Sequence, residues 1–223
     1  MFRRLNETLE AYQKRDPAAR SKLEIFILYQ GVHADIDHRI AHWFYNHNLK
    51  FIARLVSQWS RFCTGIEIHP GAKIGRRFVI DHGMGIVIGE TAEVGDDVLL
   101  YQGVTLGGTG KDVGKRHPTI GNNVLIGSGA KILGPFKVGD NSRIASNAVV
   151  LQEIPPDSTA VGAPARVVRV AGQKVNFAGE VDQIHVPDPV KIELTALRGQ
   201  LEALEKRMLE TEGGKDERKQ EET

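Results

Sequence analysis

The chain lacks most of the features that would commit it to a specialised class. It has one cysteine, Cys63, so no internal disulfide can form and nothing in cysteine usage points to secretion. Neither sign of charge dominates: 29 lysines and arginines stand against 28 aspartates and glutamates, a formal net charge of +1. That balance offers no basic field to nucleic acid or to an anionic membrane, and neither is expected as a partner. No apolar run reaches the roughly 20 residues of a membrane span. The opening MFRRLNETLEAYQKR is charged throughout and has neither the apolar core nor the cleavage site of an export signal. A cytoplasmic protein is the expectation. Aromatic residues are scarce at 6%, which argues against a centre filled by rings.

What the chain has instead is glycine, 24 residues of it, and an aliphatic period of six. Ile68, Ile74, Ile80 and Ile86 are six apart. After a shift of two come Ile88, Val94, Leu100 and Leu106, and after a longer break Ile120, Ile126, Ile132, Val138, Ile144 and Val150. Six is neither the 3.6 of an α-helix nor the plain 2 of a hairpin sheet. It fits one short strand and one tight corner per unit, with one aliphatic side chain turned inward. Stacked units of this kind make a hexapeptide parallel β-helix, with about 18 residues per coil. An antiparallel sandwich with glycine turns would not hold so strict a period. The two interruptions, at Ile86-Val87-Ile88 and over residues 107–119 (GGTGKDVGKRHPT), are where polar residues can leave the stack and do chemistry.

The flanks read differently. Residues 1–64 are predicted to be helical, with Phe2, Leu5, Leu9 and Tyr12 on one face, Ile36, Ile40, Trp43 and Phe44 on another, and Ile52, Leu55, Val56 and Trp59 on a third. Asp16 suits an N-cap with Pro17 at the first helical position, and Gly65 suits a helix stop. The β-helix is expected over 65–170, with its loop at 107–119. In the tail 171–223, Val190, Leu194, Leu197, Leu201, Leu204 and Met208 predict a short amphipathic helix over 190–209. Cys63 reads as a packed residue.

Candidate chemistry gathers in the repeat. Three histidines, His69, His82 and His117, stand near Glu67, Asp81 and Glu90 in sequence. A neutral imidazole, with a pKa of about 6.5, can accept a proton at cellular pH, and a neighbouring carboxylate would stabilise the imidazolium that forms. Spacing allows His82 to meet Glu67 but does not establish that it does. The segment Leu106-Gly107-Gly108-Thr109-Gly110-Lys111 could cradle phosphate, although it is not a Walker A sequence, or it could be a flexible turn.

The block Ile80-Asp81-His82-Gly83-Met84-Gly85-Ile86-Val87-Ile88-Gly89-Glu90-Thr91 closely resembles the signature of the serine O-acetyltransferases, a family of hexapeptide-repeat acyltransferases. So do Val104 to Lys111, Arg116-His117-Pro118, the exit Gly162-Ala163-Pro164-Ala165-Arg166 and, in the helical part, Arg15-Asp16-Pro17-Ala18. The resemblance implies a left-handed coil, which general rules of crossover handedness would not supply. It implies acetyl transfer from acetyl-CoA to the hydroxyl of L-serine, giving O-acetylserine for cysteine synthesis, with acetyl-CoA as co-substrate and no metal. It implies His82 as general base with Glu67, where longer members carry Asp, as its carboxylate partner, and a catalytic role for His117. Serine-binding positions fall on Asp16, Asp81, Arg116 and His117, and CoA positions on Gly108, Thr109, Gly127 and Ser128. A homotrimer with sites between neighbouring β-helices is implied; this short helical part makes a hexamer the lesser alternative. Members that dock into O-acetylserine sulfhydrylase often end in Ile, whereas this sequence ends Glu-Glu-Thr. Two other readings share the fold: an acetyltransferase for a different hydroxyl acceptor, and a gamma-class carbonic anhydrase with a three-histidine zinc site. The latter would need a third histidine, and residues 118–129 contain none.

Overall fold

The computed structural model describes residues 2–110, 113–170 and 197–204. Four helices come first: α1 (Phe2–Arg15), α2 (Lys22–Leu28), α3 (Gln30–Asn46) and α4 (Lys50–Thr64). None of the described helices is long and apolar enough to cross a membrane. Short strands then follow: β1 (Glu67–Ile68), β2 (Lys73–Ile74), β3 (Val79–Asp81), β4 (Val87–Ile88), β5 (Glu93–Val94), β6 (Leu99–Tyr101), β7 (Thr105–Gly107), β8 (Thr119–Ile120), β9 (Leu125–Ile126), β10 (Lys131–Leu133), β11 (Lys137–Val138), β12 (Arg143–Ile144), β13 (Val149–Val150), β14 (Thr159–Val161) and β15 (Arg166–Arg169).

Every third strand stacks on its predecessor, giving three parallel faces. The first is β1-β4-β7-β10-β13, the second β2-β5-β8-β11, and the third β3-β6-β9-β12-β14, closed by antiparallel β15. The aliphatic period lines the centre as expected. Ile68, Ile80, Ile86, Ile88, Leu100, Leu106, Ile120, Ile126, Ile132, Val138, Ile144 and Val150 are buried together, and Ile74 packs against them. Register dates the interruptions. Val87 pairs with Thr105, 18 positions on, and Lys131 with Val149, again 18. Glu67 pairs with Val87 at a step of 20, so the slip after Asp81 adds two residues at the edge between the third and first faces. Thr105 pairs with Lys131 at a step of 26, so residues 108–118 carry an eight-residue excursion between the first and second faces.

The remaining edge, between the second and third faces, is a structural ladder. Arg77, Asp97, Asn123, Asn141 and Asp157 all adopt left-handed backbone there (φ 53° to 60°), a conformation Asn and Asp tolerate better than most residues. Asn123 Nδ2 donates to Asn141 Oδ1 and Asn141 Nδ2 to Asp157 Oδ1, both at 2.9 Å.

The helical part departs from its sequence reading at Asp16 and Cys63, and it leaves much of its bulky apolar surface outside. Asp16 and Pro17 do not open a helix. Asp16 Oδ1 accepts the Ala18 amide at 2.7 Å in a tight turn, and Ser21 caps α2 instead, accepting from Glu24 N. On α4 the apolar stripe faces largely outward: Ile52, Leu55 and Trp59 are exposed and Val56 half-buried, with Phe51 and Phe62 exposed beside them, whereas Ala53, Ser57, Ser60 and Thr64 are buried. On α3, Ile40 and Trp43 are likewise exposed while Val32, Ala34, His38 and Ala41 are buried. Small inward residues let helices and coil approach closely, so much of each apolar stripe stays outside, although Ile36 packs against the buried cluster that includes Tyr12 and Val32. Cys63, on the outer side of α4, is exposed rather than packed. Gly65 does stop α4, at φ 72°, with its amide on Arg61 O at 2.8 Å. Of the helix expected over 190–209, residues 197–204 are helical, with Leu197, Leu201 and Leu204 exposed; the rest lies outside the described residues.

One buried histidine makes the fold acid-sensitive. His38 hydrogen-bonds to the Ala72 backbone, its Nδ1 has no partner among the described residues, and burial lowers its pKa to about 3. A folded-state pKa below the unfolded value means that this contribution is complete above about pH 6.5 and is lost as pH falls toward 3. Thermal unfolding between pH 7 and 4 should show stability falling, by up to about 1.4 kcal/mol per pH unit from this group. His38→Phe should flatten that slope.

Candidate active site

The edge between the third and first faces carries the base candidate. α1 fixes it: the buried Tyr12 hydroxyl donates to Ile80 O at 3.1 Å and accepts from Ile80 N at 3.0 Å, one residue before Asp81. The chain then slips by two, and His82 takes left-handed backbone at φ 60° with its side chain 75% exposed. His82 Nε2 lies 3.9 Å from Asp81 Oδ1, an electrostatic contact too long for a hydrogen bond. Asp16 stands over the same edge, and its Oδ2 accepts the Tyr29 hydroxyl at 2.6 Å. That bond, with burial adding, pushes the Tyr29 phenol up to about 12. Burial raises the Asp81 carboxyl, and the like charge of Asp16 raises it further. A buried carboxylate with a like charge beside it makes a ready site for a cation such as an ammonium.

Glu67 sits on β1 beside this edge but is engaged elsewhere. Its carboxylate faces α4, 3.4 Å from Arg61 Nε and 3.9 Å from Arg54 Nη2. The residues Gly83 and Gly85 that follow His82 do pack on Ile66 and Gly65, so the two side chains share a corner without being paired.

The second group lies at the edge between the first and second faces. Glu90 and Thr91 follow β4, and Arg116 and His117 end the excursion one coil above. Glu90 Oε1 accepts from the Tyr45 hydroxyl of α3 at 2.7 Å, and Oε2 accepts from Arg116 Nη2 at 2.5 Å. Those two bonds lower the Glu90 carboxyl to about 2, so the pair is intact throughout the neutral range. Thr91 Oγ1 accepts the backbone amides of Arg116 (3.0 Å) and His117 (3.1 Å). His69 is half-buried nearby, edge-on to Tyr45 at 5.9 Å, and burial lowers its pKa. A cavity of about 430 Å³ opens here beside Tyr45, Glu90, Thr91 and Arg116. The His117 ring lies directly over Gly89, where an added Cβ would come within 2.0 Å of it.

The expected CoA positions divide between the same two edges. Gly108 lies alongside the Arg116 backbone, 3.0 Å from where its Cβ would be, and Thr109 follows it. Gly127 and Ser128 follow β9 at the His82 edge, with Ser128 Oγ donating to Ser146 Oγ at 3.1 Å. Lys111 lies outside the described residues. Sequence reasoning missed Tyr29, Tyr45 and Thr91. Thr91 stood inside the signature block; the two tyrosines gave no signal, because only folding brings their helices to the coil. No group of three or more potential metal ligands occurs among the described residues.

A hexapeptide-repeat coil bearing an exposed histidine, an acidic pair and an arginine–histidine pair at its edges defines a hexapeptide transferase. Residues 117–152 match the family model described as bacterial transferase hexapeptide (six repeats). The chain is 52% identical over 203 residues to a serine acetyltransferase of Bacillus pumilus, covering 91% of this chain and 93% of that one. A solved serine acetyltransferase of Brucella abortus in complex with coenzyme A matches at 42% identity and a TM-score of 0.74, covering 77% of this chain and 69% of that one. One of Neisseria gonorrhoeae in complex with serine matches at 38% and 0.72, covering 75% and 68%. The chain belongs to the serine acetyltransferase family, and its coil is the left-handed β-helix of that family.

Gly89 should be intolerant of any side chain for a reason specific to the site. Gly89→Ala forces the His117 ring aside, and a displacement of about 1 Å can cost about 10²-fold in rate. Acetyl-transfer kinetics should show that loss with the thermal unfolding temperature little changed.

Proposed function

We propose that the chain transfers the acetyl group of acetyl-CoA to the hydroxyl of L-serine, giving O-acetyl-L-serine and CoA, as a cytoplasmic enzyme of cysteine biosynthesis. The observation that carries this reading is the complementarity of the two edge groups to a zwitterion. Asp16 and Asp81 offer paired carboxylates to an ammonium, and Arg116, held in place by Glu90, offers a guanidinium to a carboxylate. Family membership and the serine and coenzyme A complexes of the relatives support the same substrates; they do not favour the zinc hydratase.

His82 is the general base. Its ring, exposed at the edge beside Asp81, takes the proton of the serine hydroxyl as that oxygen attacks the thioester carbonyl. The tetrahedral oxyanion is met by backbone amides of the glycine-rich segment. Collapse breaks the carbon–sulfur bond, and the imidazolium returns its proton to the CoA thiolate. Asp81 and Glu67 are the carboxylates placed to stabilise that imidazolium; Glu67 reaches it by leaving Arg61. Gly108, Thr109, Gly127 and Ser128 line the approach of the pantetheine arm.

The two edge groups sit on different edges of one coil, so a complete site needs a neighbour's second edge, as in a homotrimer. His82→Ala should cut serine-dependent release of free thiol from acetyl-CoA by roughly 10²–10⁴-fold. A comparable wild-type rate with other hydroxyl acceptors and none with serine would sink the reading. Mixing unfolded His82→Ala and Arg116→Ala chains and refolding them together should restore about a quarter of wild-type activity, because random neighbours rebuild one intact pair of halves in four. Sites confined to one chain would restore nothing.

A further inference from the structure

Thr91 has one oxygen and three neighbours that use it. Its two lone pairs are taken by the amides of Arg116 and His117, at 3.0 and 3.1 Å. Its proton is then free to point only at the remaining contact, His117 Nδ1, 2.9 Å away. The Thr91 backbone amide donates to the same nitrogen at 3.2 Å. A nitrogen that accepts two hydrogen bonds cannot carry a proton. We infer that His117 is locked as the neutral tautomer protonated on Nε2, that it serves as a fixed hydrogen-bond donor rather than as a base, and that Thr91 is the positioning residue that imposes this.

The surroundings agree. The ring is largely buried, Arg116 and Lys115 stand close to it with Glu90 and His69 the other titratable groups around it, and burial followed by the Arg116 charge lowers its pKa. Gly89 leaves room for the ring against the coil, and Nε2–H is the one donor the ring then has. In the reaction proposed above, on which this role rests, that donor meets an oxygen of the bound serine or of the oxyanion. Removal of the serine proton is left to His82, the histidine with no such lock. The two histidines in the signature segments thereby divide the labour.

The tautomer can be read without any substrate. Long-range ¹H–¹⁵N correlation on the ¹⁵N-labelled wild-type protein, with His117→Gln to assign the signals, should show Nε2 protonated and Nδ1 bare at pH 7. A protonated Nδ1, or an imidazolium, overturns the inference whatever the enzyme acetylates. Thr91→Val should release the lock, giving mixed tautomers, and should raise the KM for serine about tenfold, the loss of roughly one positioned hydrogen bond, with the KM for acetyl-CoA unchanged. Thr91→Ser, which keeps the hydroxyl, should restore both. A Thr91→Val protein with wild-type tautomer and wild-type KM also overturns it. Failure of serine as an acceptor, with the tautomer found as described, would count against the proposed function alone.

Discussion

Each coil is hydrogen-bonded to the next through parallel backbone, and that ladder constrains every feature on its surface. Glu67, Val87, Thr105, Lys131 and Val149 lie one above another because their strands pair in register. A residue at an edge therefore inherits the conformation of the residue below it. Repetition is the low-energy condition, and a side chain that must depart from the direction of the one below it comes from a break in the repeat. Both breaks in this chain carry candidate site residues. The two-residue slip turns His82 off the end of β3, and the eight-residue excursion brings Arg116 and His117 back over Glu90 and Thr91. The edge without a break carries the stacked ladder of Arg77, Asp97, Asn123, Asn141 and Asp157.

Electrostatics on the two candidate edges are opposite in kind. At the His82 edge, burial and the like charge of Asp16 raise the Asp81 carboxyl, and the local charge is unfinished. At the Arg116 edge, Glu90 satisfies Arg116 and is itself satisfied by Tyr45, so that group is rigid before any ligand arrives. In the proposed reaction a zwitterion meets the unfinished acidic pair with its ammonium and the preset guanidinium of a neighbouring edge with its carboxylate. The helical part serves both ends: Tyr12 and Tyr29 fix the acidic side, and Tyr45 buttresses the basic one.

The coil was legible in the sequence because its period is enforced by a single repeated constraint, one aliphatic side chain per six residues. The positions from Ile68 to Val150 that match the period are the core, and the two breaks fell where register later placed them. The helical part was less legible, because hydrophobic period reports amphipathicity and not which face is covered. On α4 the inward side needed small residues, Ala53, Ser57, Ser60 and Thr64, so the bulky stripe was left outside and Cys63 with it. Asp16 read equally well as a cap or as a ligand, and its turn geometry decides against the cap.

The site residues divide along the same line. His82, Asp81, Arg116 and His117 came from resemblance and lie at the edges, yet resemblance says nothing of what holds them. Glu67 shows the difference: the family pattern pairs it with His82, whereas in the resting chain two arginines of α4 hold it. The longer side chain, Glu where other members carry Asp, reaches α4 as readily as it reaches the corner. Catalysis through Glu67 would then require the arginines to yield, while Asp81 stands 3.9 Å from the ring without any rearrangement. The cost of drawing a carboxylate off partly exposed arginines is small, about 1 kcal/mol or less per surface ion pair. In the proposed mechanism either carboxylate can thus meet the imidazolium, and comparing the rates of Glu67→Gln and Asp81→Asn, with Asp81 also judged by its effect on serine affinity, separates their roles.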